Sequence, residues 1–374
     1  MLRVAIIGCG KIADQHVQAI HRIGECEIVA ACDREELMAR QLAERFNIAG
    51  VFSESEKMLE AIVPDVVHIT TPPQSHFLLA KQCLESGSHV YLEKPFTVTA
   101  AEAAELIALA DSKGRKVTAG HNYQFTLEMM EMRRLIAAGF LGGKPIHLES
   151  HWSYDLSDMS YVGPILGSKS HWVRQLPGQL FHNLISHGIA RLAEFLDDEF
   201  EIIADSHQSE QLRSLSGEEV QDELRVLLRD KNGTTAFFCF STQIKPGSNR
   251  LLLCGPKNSL DVDLSSGSLI RLENKAAKSY LTYFTPPLRL ARQHFRNARS
   301  NVLNFVRGRL HQDFGMKELI ERFYESIRSG AAVPIPYREI LLTARIMDDI
   351  FLQTYPGRVS TSQHLPVGDL IASS

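Results

Sequence analysis

Up to about residue 120 the chain alternates short apolar runs with amphipathic stretches. The runs at 4–7, 27–31, 64–71 and 88–92 are largely apolar and predict strands buried on both faces. Segment 100–112, rich in alanine and leucine, follows Thr99 as a capping residue and predicts one of the intervening helices. Strands alternating with helices imply a parallel sheet covered by helices. Beyond residue 120 the pattern changes, and strand-like segments cluster at 145–154, 199–204, 223–229, 234–241, 250–254, 260–264 and 268–272. Turn signals such as Lys231-Asn232-Gly233 and Ser265-Ser266-Gly267 separate them. They predict a mostly antiparallel open sheet with helices on one face. Phe237, Cys239, Leu251 and Leu253 alternate with other residues and are expected in its core or at an interface, with core favoured. The expected organisation is an α/β domain over 1–120 and an α+β domain over 121–374, with a helix over 337–353 returning to brace the first.

The first apolar run leads into Gly8-Cys9-Gly10-Lys11-Ile12-Ala13 and then a helical pattern. Gly8 allows a tight turn, Gly10 lets the backbone approach a pyrophosphate, and Ala13 lets the helix pack on the strand. The helix N-terminus then faces the phosphates. The second run ends at Asp33, twenty residues past Ala13, where an acid can accept the adenosine ribose hydroxyls. Arg34 beside it could pair with a 2′-phosphate, so the reading is NAD with NADP as the alternative. The third run stops at Thr71-Pro72-Pro73, with His76 at the next helix start. The fourth ends in Glu93-Lys94-Pro95, at the strand end where open parallel sheets bind ligands.

With GCGKIA at 8–13, CD at 32–33, TTPPQSH at 70–76, HVYLEKP at 89–95 and GHNYQF at 120–125, the chain resembles the glucose-fructose oxidoreductase, inositol dehydrogenase and MocA family of dinucleotide-dependent sugar oxidoreductases. The resemblance is close over the first third and architectural beyond it. It implies a Rossmann domain holding NAD through the glycine turn, Asp33, Thr71, Pro72, His76, Glu93, Lys94 and Asn122. It places Lys94 near the nicotinamide and the sugar, commonly before a cis proline. The family's second signature matches 177–187, with His187 where the family has histidine and Asn183 where aspartate is usual. Asparagine can hydrogen-bond a hydroxyl but cannot act as a base, so Asn183 is expected to position and His187 to transfer a proton. Tyr123 and His182 are further candidates for substrate contact, with His182 expected to point away on a regular helix. A dimer or tetramer through the second sheet is the family expectation.

The rest of the chain narrows this picture. Segment 155–177 reads as a long loop with Tyr161, Lys169, His171, Trp172 and Arg174, a candidate substrate lid in which Lys169 and Arg174 could meet an anion. Segment 274–312 carries eight lysines and arginines and no acid, with Leu288, Phe295 and Val302 seven apart. That pattern is an amphipathic basic helix, read as a surface helix, an anion site, or a peripheral membrane contact through 287–310. The formal charge of −4 gives no support for nucleic-acid binding. Six cysteines occur without CxxC pairing and read as reduced residues of a cytoplasmic protein; no metal-ligand set is evident. A first strand from about residue 3 is expected to leave no signal peptide, and no apolar run is long enough to span a membrane.

The expected activity is hydride transfer between nicotinamide and a secondary alcohol or ketone of a sugar, with a nucleotide sugar or other biosynthetic carbohydrate favoured by the basic segment. Lys94 or His187 would move the proton. Two alternatives stand beside it. One is an NAD-dependent glycosidase with transient oxidation; the other is a non-catalytic dinucleotide-binding regulator, kept open by Asn183.

Overall fold

The computed structural model describes residues 1–156, 159–216, 220–274, 279–281, 283–309 and 314–358. Two compact units emerge, the first from Met1–Asn122 together with the chain from Gly315 onward, the second from Tyr123–Phe314. In the first, β1 (Leu2–Ile7), α1 (Lys11–Ile20), β2 (Cys26–Cys32), α2 (Glu36–Phe46), β3 (Gly50–Phe52), α3 (Ser55–Ile62), β4 (Val66–Ile69), α4 (His76–Glu85), β5 (His89–Leu92), α5 (Ala100–Ser112) and β6 (Val117–Ala119) alternate as expected. The six strands pair in the parallel order β3-β2-β1-β4-β5-β6. Val4, Ala5, Ile6, Val66, Val67 and Val90 are fully buried, which is why these runs lack polar alternation. Backbone bonds continue past the strand ends, from Gly8 N–H to Cys32 O and from Glu93 N–H to Ile69 O, so the loops that follow are held in register.

The second unit holds α6 (Leu127–Ala137), β7 (His147–Ser153), α7 (Met159–Gly167), α8 (Trp172–Gln175), α9 (Gln179–Leu184), α10 (Ser186–Ala193), β8 (Phe200–His207) and α11 (Glu210–Ser216). There follow β9 (Glu223–Asp230), β10 (Thr235–Ser241), β11 (Asn249–Cys254), β12 (Asn258–Asp263), β13 (Ser268–Glu273) and α12 (Thr285–Val306). Its sheet runs β13-β12-β11-β7-β10-β9-β8, antiparallel except for β7 beside β10. Helix α10 covers one face at close range. Ser150 Oγ donates to Gly188 O, and a Cβ on Gly188 would sit 2.4 Å from the Phe238 ring. Leu251 and Leu253, both fully buried, share that face with Phe238, whereas Phe237 and Cys239 lie on the opposite one, where Phe237 is half-buried. The four residues therefore divide between the two faces.

The expected loop over 155–177 is a correction. Its described part contains α7 and α8, because Pro164 falls inside the helix rather than ending it; the side chain of Tyr161 lies outside the described residues. A second difference lies at the C-terminus. Sequence alone placed 121–374 in one domain and only 337–353 against the first, but the chain rejoins the first unit from Gly315, with α13 (Phe314–Ser329) and α14 (Tyr337–Thr354).

Helix α14 holds α5 by a charged contact. Asp348 accepts a hydrogen bond from the Ala100 N–H (2.8 Å), and burial raises its carboxyl from 3.8 to about 7. An acid raised on folding leaves stability intact below its unfolded pKa and lowers it as pH rises toward the folded value. Asp348→Asn keeps an acceptor oxygen and removes the charge. It should add about 2 kcal/mol of stability near pH 8, half the full equivalent of the shift because the group is only partly buried, and almost nothing near pH 4. Urea unfolding at the two pH values checks the sign.

Candidate functional site

In the first unit, the motif residues gather at the C-terminal ends of β1, β2, β4, β5 and β6. Gly8 has φ +93°, and a Cβ there would lie 2.7 Å from Thr71 Cγ2 and 2.9 Å from the Thr70 backbone, so only glycine fits between these strands. A Cβ on Gly10 would meet nothing within 4 Å. Helix α1 starts there with no side chain capping its N-terminus. Ala13 is fully buried, Ile12 half-buried and Lys11 exposed. Asp33 stands at the end of β2, where one carboxylate oxygen accepts the Cys9 N–H (2.7 Å) and the other the Glu35 N–H (3.0 Å). Each oxygen keeps a lone pair for a ribose hydroxyl. Arg34 is exposed.

On the next strand ends, Ser75 Oγ donates to Thr71 Oγ1 (2.7 Å) and Pro72 opens a short turn into α4. His76 is fully buried between Thr71 O, 2.9 Å from Nε2, and Pro95 O, 3.0 Å from Nδ1. Its ring thus joins the Thr71 loop to the Lys94 loop. The Lys94-Pro95 peptide is cis. Lys94 is half-buried, and burial lowers its pKa against the opposing pull of Glu93. Burial would raise Glu93, but the hydrogen bond from His16 and the Lys94 charge hold it below the usual value. Asn122 has a buried Oδ1 without a hydrogen-bond partner among the described residues. An unfilled acceptor, open space over Gly10, an uncapped helix start and Asp33 together fit a dinucleotide.

Sequence reading missed what lies behind this edge. His16 Nε2 lies 2.9 Å from Glu93 Oε1, His16 Nδ1 2.8 Å from His68 Nδ1, and His68 Nε2 2.8 Å from Tyr324 OH. All four side chains are buried, and the His68 ring stacks on Tyr91 at 4.7 Å. One set of protons satisfies every contact: Tyr324 donates to His68, His68 to His16, and His16 to the Glu93 carboxylate. Burial keeps His68 neutral. His121, also overlooked, is buried beside this edge and burial pushes its pKa down to about 4.

The second unit carries the other expected residues. Gln179 enters α9 at φ +45°, a left-handed backbone that costs a non-glycine residue on the order of 1 kcal/mol. The single helix expected through Asn183 and His187 is two, meeting at Ile185. Asn183, His187 and His182 are all buried. The His187 ring lies 4.7 Å from Tyr123 and 5.5 Å from Trp152, which sequence reading did not single out. Beneath Trp152, the fully buried Arg191 guanidinium sits 5.2 Å from the ring and donates to Ser150 Oγ, Asn249 Oδ1 and His151 O. Arg174 is buried and donates to Leu166 O, which turns it into the α7–α8 packing, whereas Lys169 is exposed.

All six cysteines are free, and burial raises the Cys9 and Cys32 thiols to about 12 and about 11, which makes them poor nucleophiles. No metal-holding cluster and no helix long and apolar enough to cross a membrane occurs among the described residues.

Comparison with known proteins adds the following. The model of the GFO_IDH_MocA oxidoreductase family, NAD-binding Rossmann fold, matches residues 2–121, and that of the GFO/IDH/MocA C-terminal domain matches 129–261. The chain is 35% identical to D-glucoside 3-dehydrogenase of Escherichia coli over 142 residues, 38% of this chain and 40% of that protein's length. It is 23% identical over 361 residues to D-apiose dehydrogenase of Paraburkholderia graminis, 95% of this chain and 88% of that one. A solved structure with the same fold is the WlbA dehydrogenase of Bordetella pertussis in complex with NADH and UDP-GlcNAcA. Its TM-score is 0.75 at 17% identity, covering 95% of this chain and 96% of that one.

Proposed function

Because the chain belongs to the Gfo/Idh/MocA family of oxidoreductases and carries its NAD-binding Rossmann domain, we propose that it transfers hydride between a nicotinamide dinucleotide and a secondary alcohol or ketone of a sugar. The observation that carries this reading is Lys94 at the end of β5, half-buried and partly desolvated, with its backbone N–H bonded to the Glu93 carboxylate and the Glu93 charge opposing the lowering of its pKa. A bound nicotinamide supplies the hydride acceptor or donor. Lys94 polarises the reacting oxygen, and its lowered pKa lets it share a proton with that oxygen. His187, buried against Tyr123 and Trp152, exchanges the proton with the reacting hydroxyl. Asn183 positions a hydroxyl by hydrogen bonding. The cofactor is NAD, held at Gly8, Gly10, Asp33, Thr71 and Asn122. The substrate class is a nucleotide sugar or another biosynthetic carbohydrate, supported by the nucleotide sugar bound in the WlbA dehydrogenase and by the sugar dehydrogenases among the relatives.

Incubation with NAD⁺ and a panel of free and nucleotide-linked sugars, followed at the absorbance band of reduced nicotinamide, tests the proposal. NADH formation with a nucleotide sugar is the expected result. Tight NADH binding with no turnover of any sugar would overturn it.

A further inference from the structure

Helix α12 is a 22-residue element, about 33 Å long, with no buried residue. Its inward face is polar. Gln293 bonds both the N–H and the C=O of Arg271, Asn297 donates to Leu269 O, and Asn301 donates to the carbonyls of Ser266 and Gly267. These amides sit four residues apart on one face and line the outer edge of β13. The apolar residues therefore have nothing of their own unit to pack against. Leu288, Phe295, Val302 and Val306 are 69, 75, 63 and 76% exposed. Arg292 and Arg299 fall between them at spacings of three and four, so apolar and cationic side chains alternate turn by turn along one outward stripe. Tyr283 and Phe284 continue it as exposed aromatics at the helix start.

We propose that this stripe docks α12 flat on an anionic lipid bilayer. Charge selects the occupant. The described stretch 283–309 has six arginines and no acidic residue in a chain of net charge −4, so positive charge is concentrated along this helix. Arg292, Arg296 and Arg299 make no ion pair among the described residues. A second copy laid against the stripe would bring arginines onto arginines at every other turn, with no carboxylate in the segment to separate them. At a membrane surface the same alternation is favourable: apolar side chains enter the acyl boundary while the guanidinium groups reach lipid phosphates. The docking does not depend on the catalytic reading.

Flotation of the full chain with phosphatidylcholine vesicles, with and without phosphatidylglycerol, tests this. The protein should float with phosphatidylglycerol vesicles alone and be released by raised salt. Phe295→Asp should abolish flotation, and Arg292→Ala with Arg299→Ala should weaken binding about fivefold per arginine. All variants should bind NADH as the parent does, since the helix carries no residue of the dinucleotide edge. Absence of flotation, equal flotation with neutral vesicles, or flotation unchanged in the variants overturns the proposal. So does a concentration-dependent oligomer that Phe295→Asp dissolves without any vesicle binding, which would assign the stripe to a second copy.

Discussion

Lys94→Ala should lower kcat by about two to four orders of magnitude while changing NADH affinity little, the loss expected for a direct acid–base or polarising group. Lys94 is held at the end of β5, where the backbone of Glu93 is tied to Ile69 and the next residue is a buried proline. Burial lowers its pKa and Glu93 restores part of it. The neutral amine is therefore more accessible than in free lysine, and the basic limb of the kcat profile should lie below the ordinary lysine value and vanish in the variant. Steady-state kinetics and NADH fluorescence titration separate the two readouts. A variant retaining more than about a tenth of parental kcat would remove Lys94 from the chemistry.

The second large effect is on stability. His16→Ala takes away the ring that donates to the Glu93 carboxylate and accepts from His68. A buried hydrogen bond to a charged group contributes about 1.5–3 kcal/mol, and an orphaned buried donor costs about 1–3 kcal/mol. The site is sealed, with His16 fully buried, so the missing ring also leaves a cavity. Together these predict a loss of about 4 kcal/mol, a large share of the roughly 5–15 kcal/mol that holds a domain together. Adding Glu93→Gln should recover part of it by removing the buried charge. Tyr324→Phe, which deletes only the outermost donor to His68, should cost about 1 kcal/mol. Urea unfolding of the three variants gives the order. If His16→Ala lies within about 1 kcal/mol of the parent, the chain of hydrogen bonds is not a stabilising unit.

The dinucleotide edge was legible because its signals are local. Gly8, Gly10 and Ala13 lie within six residues, Asp33 closes the next strand, and Lys94 ends another. The histidine chain was not legible, since His16, His68, Glu93 and Tyr324 come from α1, β4, the end of β5 and α13, and no spacing relates them. The available hint was His68 in the fully buried run Val66–Ile69, where an imidazole must find partners. Trp152 and Arg191 were missed for the same reason: their roles depend on which strand and helix lie beside them. In α12 the seven-residue spacing of Leu288, Phe295 and Val302 identified the helix but not its orientation. The apolar face is normally the inner one. Here Gln293, Asn297 and Asn301, with their own four-residue spacing, took that place.

That substitution has a consequence for self-association. An outermost strand presents a row of N–H and C=O groups that another chain can extend. On β13 the carboxamides of Gln293 and Asn297 occupy Arg271 N–H, Arg271 O and Leu269 O, so a helix takes the middle of the edge that one more strand would use. The β13 end of the second sheet thus has its Arg271 and Leu269 positions taken, and the amides of α12 stand in the way of another chain extending the sheet there.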